Sequence, residues 1–378
     1  MIFLKRNIVF ILVLWQGLLA QTQELKVTDT LQASWIFKTG LQSAFIIAHR
    51  STMEHLVTGY PSQWELTCLN TRSRHFSDSN FSVAPRWGIS FTASNLKNPS
   101  ALGYAYSISP VFDFRLNPYR KTPSMLQASF GMAYITKYWD LVSNNKNNAI
   151  GTPLNGYVRL RWYYRLQVLK HWHVEPGITF SHMSNGRYKN PNLGINLLGV
   201  QTVVFYHSSP FDKPQIVRSK QSKSRSISRY EIQTIASVGL NQEKLNQSLK
   251  TVGQWGWSIQ RRVKNNAWGL GIDLYFDQQY QDLLSQNGLV RNSLDLWRSA
   301  AFLGYTFHAG PISFPLEIGY YFFQRTLADE PIVNRLGVRY TTPRNIILHW
   351  AIRAHYAVAY NFEFGLGYCF NKQNFKKH

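Results

Sequence analysis

Residues 268–277 read WGLGIDLYFD, and large apolar side chains occupy every second position of this stretch. Successive side chains of a β-strand point to opposite faces of a sheet, so this alternation predicts a strand with one apolar face and one polar face. Residues 158–168, VRLRWYYRLQV, alternate in the same way with arginines on the second face, and 362–370, FEFGLGYCF, repeat the pattern. The chain therefore reads as a series of two-faced strands.

The length of these strands separates a membrane barrel from a soluble sandwich. Strands of soluble sheets commonly have about 5–6 residues, whereas a tilted strand that spans a bilayer needs about 9–11. Lipid cannot satisfy the open edge of a sheet, so spanning strands must close on themselves with polar side chains inside. The sequence thus predicts an all-β fold, a transmembrane antiparallel up-and-down β-barrel of outer-membrane type with about 14–16 strands.

The candidate strands lie at 40–50, 61–71, 84–95, 101–115, 125–138, 155–169, 174–184, 194–207, 230–241, 254–263, 266–277, 297–307, 312–323, 334–341, 345–355 and 360–370. Most linkers are alternately long and short, as expected for outer loops and periplasmic turns. Linker 208–229 is long although it falls on the side of the short turns. A duplication of two eight-stranded halves fits the number of strands, but no residue-level similarity between the halves supports it.

The N-terminus predicts export. Lys5 and Arg6 precede an apolar run and small residues up to Ala20, which is the pattern of a secretory signal peptide over residues 1–20. The apolar run is shorter than the roughly 20 residues of a spanning helix. Residues 21–378 are then expected to form the outer-membrane β-barrel. Cys68 and Cys369 are far apart in the chain and are expected to stay unpaired.

Charge and aromatic content agree with a membrane location. The formal net charge is +22, and such an excess attracts polyanions. For an exported protein the expected partner is an anionic membrane surface and not nucleic acid. The 12 Trp, 21 Tyr and 23 Phe suit the aromatic girdles of a membrane barrel.

One stretch, SHMSNGRYKNPNLGIN at 181–196, departs from the alternation. His182 and Ser184 lie two apart on a predicted strand and share one face, so the imidazole can act as general base for the hydroxyl. They continue the parity of apolar Ile178, which places them on the lipid-facing side, where polar groups cost free energy. Asn196 on the following strand has the same parity and height. The three residues predict a Ser-His-Asn triad.

The pattern His-x-Ser is weak by itself, because it also occurs at His75/Ser77 and His207/Ser209. The first of these lies in a polar linker and the second at the end of a strand before a proline. We interpret both as structural.

His182-Met183-Ser184-Asn185, followed by Pro191-Asn192, Gly194 and Ile195, resembles the signature of the outer-membrane lipid A 3-O-deacylase (PagL-like) family, also called acyloxyacyl hydrolases. The wider pattern, including the ending FEFGLGY at 362–368, resembles the long Bacteroidetes form of this family. The resemblance implies that Ser184 attacks a lipid ester with His182 as its base. It also implies an oxyanion hole formed by Asn192 and by backbone N–H groups near Asn185 and Gly186. Better-known members carry a glutamate where this chain has Asn196, which lacks the charge that stabilises an imidazolium.

The resemblance implies a serine esterase that removes a 3-O-linked acyl chain from lipid A of lipopolysaccharide, in the cell outer membrane of a Gram-negative bacterium. No metal or other cofactor is expected, and the oligomeric state stays open. A calcium-dependent outer-membrane phospholipase A is an alternative, since His182, Ser184, Asn185, Gly186, Arg187 and Asn196 also match its motif. Residues 191–195, PNLGI, favour the deacylase, because the phospholipase lacks them.

A non-enzymatic, anion-selective porin-like barrel is the alternative from a different functional class. Arg159, Arg161 and Arg165 would then line its lumen. Strand parity instead predicts that these arginines pair with the inward carboxylates Asp273, Glu317 and Glu363 and so plug the lumen.

Overall fold

The computed structural model describes residues 35–70, 85–117, 122–207, 229–242, 247–263, 265–278, 293–324, 331–356 and 358–370, together with residues 245 and 281. The predicted signal peptide, residues 1–20, lies outside the described residues. So do His75, Ser77, Ser209 and nearly all of linker 208–229.

The described residues form sixteen strands of nine residues or more, one two-residue strand and two short 3₁₀ helices, Ser51–Leu56 and Ser293–Leu296. The strands are β1 Trp35–Ile46, β2 Ser62–Asn70, β3 Arg86–Asn95, β4 Tyr104–Arg115, β5 Ser124–Ile135, β6 Leu154–Tyr164, β7 Leu166–Gln167, β8 Trp172–Ser184, β9 Ile195–Tyr206, β10 Arg229–Asn241, β11 Lys250–Val263, β12 Asn266–Asp277, β13 Trp297–Ala309, β14 Ile312–Gln324, β15 Ile332–Thr341, β16 Ile346–His355 and β17 Val358–Phe370.

These strands close as two barrels. The first, barrel 1, has the strand order β6-β5-β4-β3-β2-β1-β9-β8, and pairing of β6 with β8 closes it. The second, barrel 2, closes β10 to β17, with β10 paired to both β11 and β17. All the strand pairings are antiparallel. The predicted class, an antiparallel up-and-down outer-membrane β-barrel, is confirmed, and the count of sixteen long strands is right.

The expectation that these strands form a single barrel of about 14–16 strands is wrong. Strand β9 pairs with β1 from Lys38–Ile46 and does not pair with β10. The linker of 208–229 therefore connects two closed barrels, which explains why it is long on the side of the short turns. Alternation could not reveal this, because every strand of either barrel has the same two-faced pattern.

Ion pairs fill the lumen of both barrels. In barrel 1, Arg159 contacts Glu65 through two hydrogen bonds of 2.8 and 2.9 Å. Glu175 contacts Lys38 at 2.9 Å and Arg165 at 2.7 Å. Buried charges need such partners, because an isolated charge in a low-dielectric interior is strongly unfavourable.

The predicted partners of the barrel 1 arginines were wrong. Asp273, Glu317 and Glu363 belong to barrel 2, where each of them contacts Arg335 at 2.6 to 2.8 Å. Parity identified the inward charges correctly, but the pairing depends on which strands close together.

The outward faces are apolar and exposed, as a lipid-facing wall requires; Leu41 and Leu366, one in each barrel, are 69% and 63% exposed. Among the described residues, no helix is long and apolar enough to cross a membrane. Within the described residues, Cys68 and Cys369 form no disulfide bond.

The two barrels contact each other side by side. We call the end of the molecule where β8 leads into β9 the upper end, and the end with the β13–β14 turn the lower end. Phe314, near the lower end of β14 in barrel 2, contacts Phe112 and Phe130 of barrel 1, with ring centroids 5.8 and 5.7 Å apart. Phe114 and Phe307 form a further aromatic contact there.

Candidate active site

Strands β8 and β9 hold the candidate residues in register. His182 and Asn196 are direct partners in the β8–β9 ladder, so their side chains stand next to each other on one face. Their inward neighbours Met183, Ile195 and Leu197 are buried in an apolar cluster inside the upper end of barrel 1. This packing fixes both strands, and period two then turns His182, Ser184 and Asn196 outward.

The three predicted residues form a hydrogen-bonded chain. His182 Nε2 lies 2.9 Å from Ser184 Oγ, and His182 Nδ1 lies 2.6 Å from Asn196 Oδ1. An amide oxygen only accepts, so Nδ1 carries the proton and Nε2 presents its lone pair to the serine hydroxyl. In this tautomer the imidazole can remove the proton of Ser184.

A fourth residue, His49, completes the chain and was not foreseen from the sequence. It lies in the segment after β1, and Asn196 Nδ2 contacts its Nδ1 at 3.1 Å. Burial, together with the neighbouring Arg50, lowers the pKa of His49, which keeps its ring neutral and Nδ1 able to accept. His49 therefore fixes which end of the Asn196 amide faces His182. No local pattern signals this contact, since the two residues are 147 positions apart.

Two glycines give the turn its shape. Gly186 and Gly194 have φ of 63° and 77°, a region that residues with a Cβ rarely adopt. A Cβ on Gly194 would lie 2.7 Å from His182 Cε1, so only glycine leaves room for the imidazole. Arg187 also has a positive φ of 65°, which makes the turn tight directly after Ser184 and Asn185.

Asn185 and Asn192 face each other across the turn. The backbone N–H of Asn185 donates to Asn192 Oδ1 at 2.9 Å, so this N–H already has an acceptor. The Asn185 side chain donates to the carbonyl of Lys189 at 2.7 Å and stabilises the turn. Because Asn192 Oδ1 is anchored, its Nδ2 points away from Asn185 and is available as a donor.

Ser184 is shielded although it lies on the outward face. Only 3% of it is exposed. The segment before β6 packs on the turn, where Gly194 N–H donates to the Ala149 carbonyl at 2.9 Å and Gly151 approaches Pro191. A shielded nucleophile suits chemistry from which water is partly excluded.

Basic side chains surround the upper end of barrel 1. The exposed cations of its connecting segments are Arg50, Lys97, Lys137, Lys146 and Lys189. In the part of the chain that the structure describes, no cluster of three or more His, Cys, Asp or Glu side chains could hold a metal ion.

Comparison with protein families gives two matches, one to each barrel. Residues 59–204, which run from β2 to β9, match the model of lipid A 3-O-deacylase (PagL). Residues 230–372, which cover barrel 2, match the model of the acyloxyacyl hydrolase C-terminal domain. No curated protein matches the chain.

Solved structures resemble the chain only distantly. Neisserial surface protein A has 12% identity and a TM-score of 0.31, covering 47% of this chain and 99% of its own. A triple mutant of the Rhodopseudomonas blastica porin has 6% identity and a TM-score of 0.18, covering 90% of this chain and 100% of its own. Neither similarity bears on function. Because the two family models together extend over both barrels, the chain belongs to the PagL-like lipid A 3-O-deacylase and acyloxyacyl hydrolase family of outer-membrane β-barrels.

Proposed function

We propose that the protein is a serine esterase that removes a 3-O-linked acyl chain from lipid A in the outer membrane of a Gram-negative bacterium. The observation that carries this proposal is the chain Ser184–His182–Asn196 on the lipid-facing side of the barrel that matches the deacylase family. Polar groups on this face are costly unless they do chemistry on a lipid.

The proposed reaction begins with the hydroxyl of Ser184. His182 Nε2 takes its proton while Oγ attacks the ester carbonyl, and the resulting imidazolium gives that proton to the leaving sugar oxygen. Asn196 holds the imidazole through Nδ1–H. Water then attacks the acyl-serine with His182 again as base, which releases a 3-hydroxy fatty acid and restores the serine.

Negative charge that develops on the carbonyl oxygen needs hydrogen-bond donors. Asn192 Nδ2 is the side-chain donor that we assign to it, since its Oδ1 is anchored by Asn185. The backbone N–H of Gly186, next to the nucleophile, is the second donor in this assignment. Asn185 then contributes by holding Asn192 and the turn, since its own N–H is engaged.

Charge supports lipid A as the substrate. Lipid A carries phosphates, and the exposed cations Arg50, Lys146 and Lys189 lie on segments next to the turn. The arginines of the lumen support an enzyme over an anion-selective pore, since Arg159 and Arg165 are paired with buried carboxylates.

The test is to incubate purified protein, in detergent or in bilayers, with lipid A and separately with a glycerophospholipid, each with calcium and with a chelator. The proposal expects release of 3-hydroxy fatty acid from lipid A in both conditions, and loss of release in Ser184→Ala. Calcium-dependent release from the phospholipid alone would make the protein a phospholipase. Hydrolysis of neither lipid would contradict the assignment as an esterase.

A further inference from the structure

The tip of the turn that follows Ser184, residues 187–190, is bound by barrel 2. The backbone N–H of Asn190 donates to Gln242 Oε1 at 2.6 Å, and Asn190 Nδ2 donates to the Gln242 carbonyl at 2.6 Å. In return the Gln242 N–H donates to the carbonyl of Arg187 at 3.0 Å. Three hydrogen bonds thus connect one residue at the end of β10 to both sides of the turn tip.

Gln242 is itself held in place. It is 8% exposed, and its Nε2 donates to the Gln247 carbonyl at 2.8 Å. Both ends of its amide are therefore used, one within barrel 2 and one across to the turn. A buried amide with both ends paired is a rigid connector, because rotating it would leave buried polar groups unpaired.

Phe362 of β17 contacts the backbone on either side of the nucleophile. A Cβ on Gly186 would lie 2.5 Å from its ring, and a Cβ on Gly156 would lie 2.7 Å from it. Gly186 follows Ser184 closely in the chain, and Gly156 is the ladder partner of Ser184 in β6. The ring stacks on Trp350 with centroids 5.9 Å apart, so barrel 2 supports it from behind.

Barrel 1 alone leaves the turn tip with fewer restraints. The turn binds itself through Asn185, whose carbonyl accepts from Tyr188 N–H at 3.2 Å and whose side chain contacts Lys189. Asn185 Nδ2 also donates to Thr152 Oγ1 at 3.2 Å, and Gly151 packs against the backbone of residues 189–191. Barrel 1 therefore holds the base of the turn, and the bonds from barrel 2 add restraints at its tip. Catalysis depends on donors held to within a fraction of an ångström, so a shift of the turn would misplace the Gly186 N–H.

We propose that barrel 2 is a positioning element for the catalytic turn and acts through Gln242 and Phe362. Neither residue touches the reacting atoms. They hold residues 186–190 so that the oxyanion donors stay aligned with Ser184. This inference rests on the proposed esterase function and extends it, because it gives barrel 2 a role in the reaction that goes beyond a second membrane anchor.

The experiment compares single substitutions in the full-length protein, with kcat and KM measured on lipid A. Phe362→Ala is expected to lower kcat about 10- to 100-fold with little change in KM, because the substrate still binds beside a misaligned donor. Gln242→Ala removes the Oε1 acceptor but keeps the two bonds of the Gln242 backbone, so it is expected to lower kcat less, about 3- to 10-fold. Gln242→Glu keeps an oxygen that accepts from Asn190 N–H but loses the Nε2 donor to the Gln247 carbonyl, so it should recover only part of the rate.

Phe314→Ala is the matched control. It removes aromatic contacts with Phe112 and Phe130 across the same interface and with Phe307 within barrel 2, and none of these partners belongs to the turn. We expect its kcat to stay within about twofold of the wild-type value, because the ring contacts that Phe314 loses do not include the turn, Gln242 or Phe362. Labelling of Ser184 by a fluorophosphonate, which also uses the oxyanion donors, should slow in parallel with kcat in the Gln242 and Phe362 variants only.

Folding is checked by the shift in gel mobility on heating in SDS, so that only folded variants are compared. Wild-type kcat in folded Gln242→Ala and Phe362→Ala would overturn the inference, as would an equal loss in Phe314→Ala, which would mean that barrel 2 matters only through docking. A wild-type protein without esterase activity would instead contradict the proposed function itself.

Discussion

The two barrels share one construction and differ in what they carry on their outer walls. Each closes eight long antiparallel strands, exposes apolar side chains outward and pairs its buried charges inside. On β14 of barrel 2 the outward residues remain apolar or aromatic to the upper end, as Ile318, Tyr320 and Phe322 illustrate. On β8 of barrel 1 the outward series starts like this at Ile178 and then changes to His182 and Ser184.

This difference distinguishes the apolar lipid-facing surface of the barrels from the candidate active site. Alternation with apolar outward residues is sufficient to build a membrane barrel, and barrel 2 follows it up to its end. The proposed active site lies where β8 of barrel 1 departs from this alternation on its outer face. Barrel 2 also contacts the candidate site of barrel 1, because Gln242 and Phe362 bind the turn that follows Ser184.

Ser184→Ala has the largest expected effect and tests whether barrel 1 carries the active site. Loss of the nucleophile should lower kcat on lipid A by more than about 1,000-fold, since no other group in the chain of hydrogen bonds can form the acyl intermediate. The matched control is Thr234→Ala, which removes a hydroxyl from the wall of barrel 2 and should leave the rate unchanged. A similar loss in both variants would contradict the view that only barrel 1 carries the site.

The second prediction concerns the lumens. Arg335 neutralises three carboxylates of barrel 2, whereas Arg159 neutralises one, Glu65, which also accepts from Thr67 and Ser90. In Arg335→Met, Glu317 still contacts Arg339 and Glu363 still contacts Arg353, so Asp273 is the carboxylate that loses its arginine, as Glu65 does in Arg159→Met. Each substitution should therefore lower the free energy of unfolding by about 3–5 kcal/mol. Urea unfolding in bilayers, followed by tryptophan fluorescence, measures both. A loss in Arg335→Met several times that in Arg159→Met would mean that Arg339 and Arg353 do not compensate for the missing arginine.

The third prediction tests the third member of the chain. Asn196→Ala should lower kcat about 100-fold, because His182 then loses the partner that fixes its tautomer. Asn196→Asp should instead retain the rate or raise it, by up to about tenfold, because a carboxylate also stabilises the imidazolium. Steady-state kinetics on lipid A distinguish the two. An inactive, folded Asn196→Asp variant would show that the neutral amide is required.

The smallest expected effect is at His49. His49→Ala removes the acceptor of Asn196 Nδ2 and should lower kcat about 3- to 10-fold, the cost of one unpaired hydrogen bond, while His49→Gln restores an acceptor and the rate. Because burial lowers the pKa of His49, the ring stays neutral near pH 7 and becomes protonated only in acid. Protonation removes the acceptor, so the wild-type rate should fall more steeply on acidification than that of His49→Gln. Identical pH profiles would exclude a role for His49 in this range.

Much of the candidate site was predictable from the sequence, because it depends on the side-chain period of β8 and on pairing with the next strand, β9. His182 and Ser184 share a face through period two, and the ladder places Asn196 opposite His182 as the parity of β9 predicted. The engagement of the Asn185 N–H by Asn192 was not predictable, because it depends on how the turn folds back. His49 was also missed, since its segment meets the site only once β1 pairs with β9.

The sequence by itself determined the two-faced strands, their number and the outward position of the catalytic candidates, because each of these depends on alternation within one strand or on neighbouring strands. Only the tertiary structure decided that sixteen strands close as two barrels, that Arg335 and not Arg159 meets Asp273, and that Gln242 reaches the turn. These contacts join residues far apart in the chain. They depend on which strands pair with each other, and the alternation of apolar and polar residues does not specify that pairing.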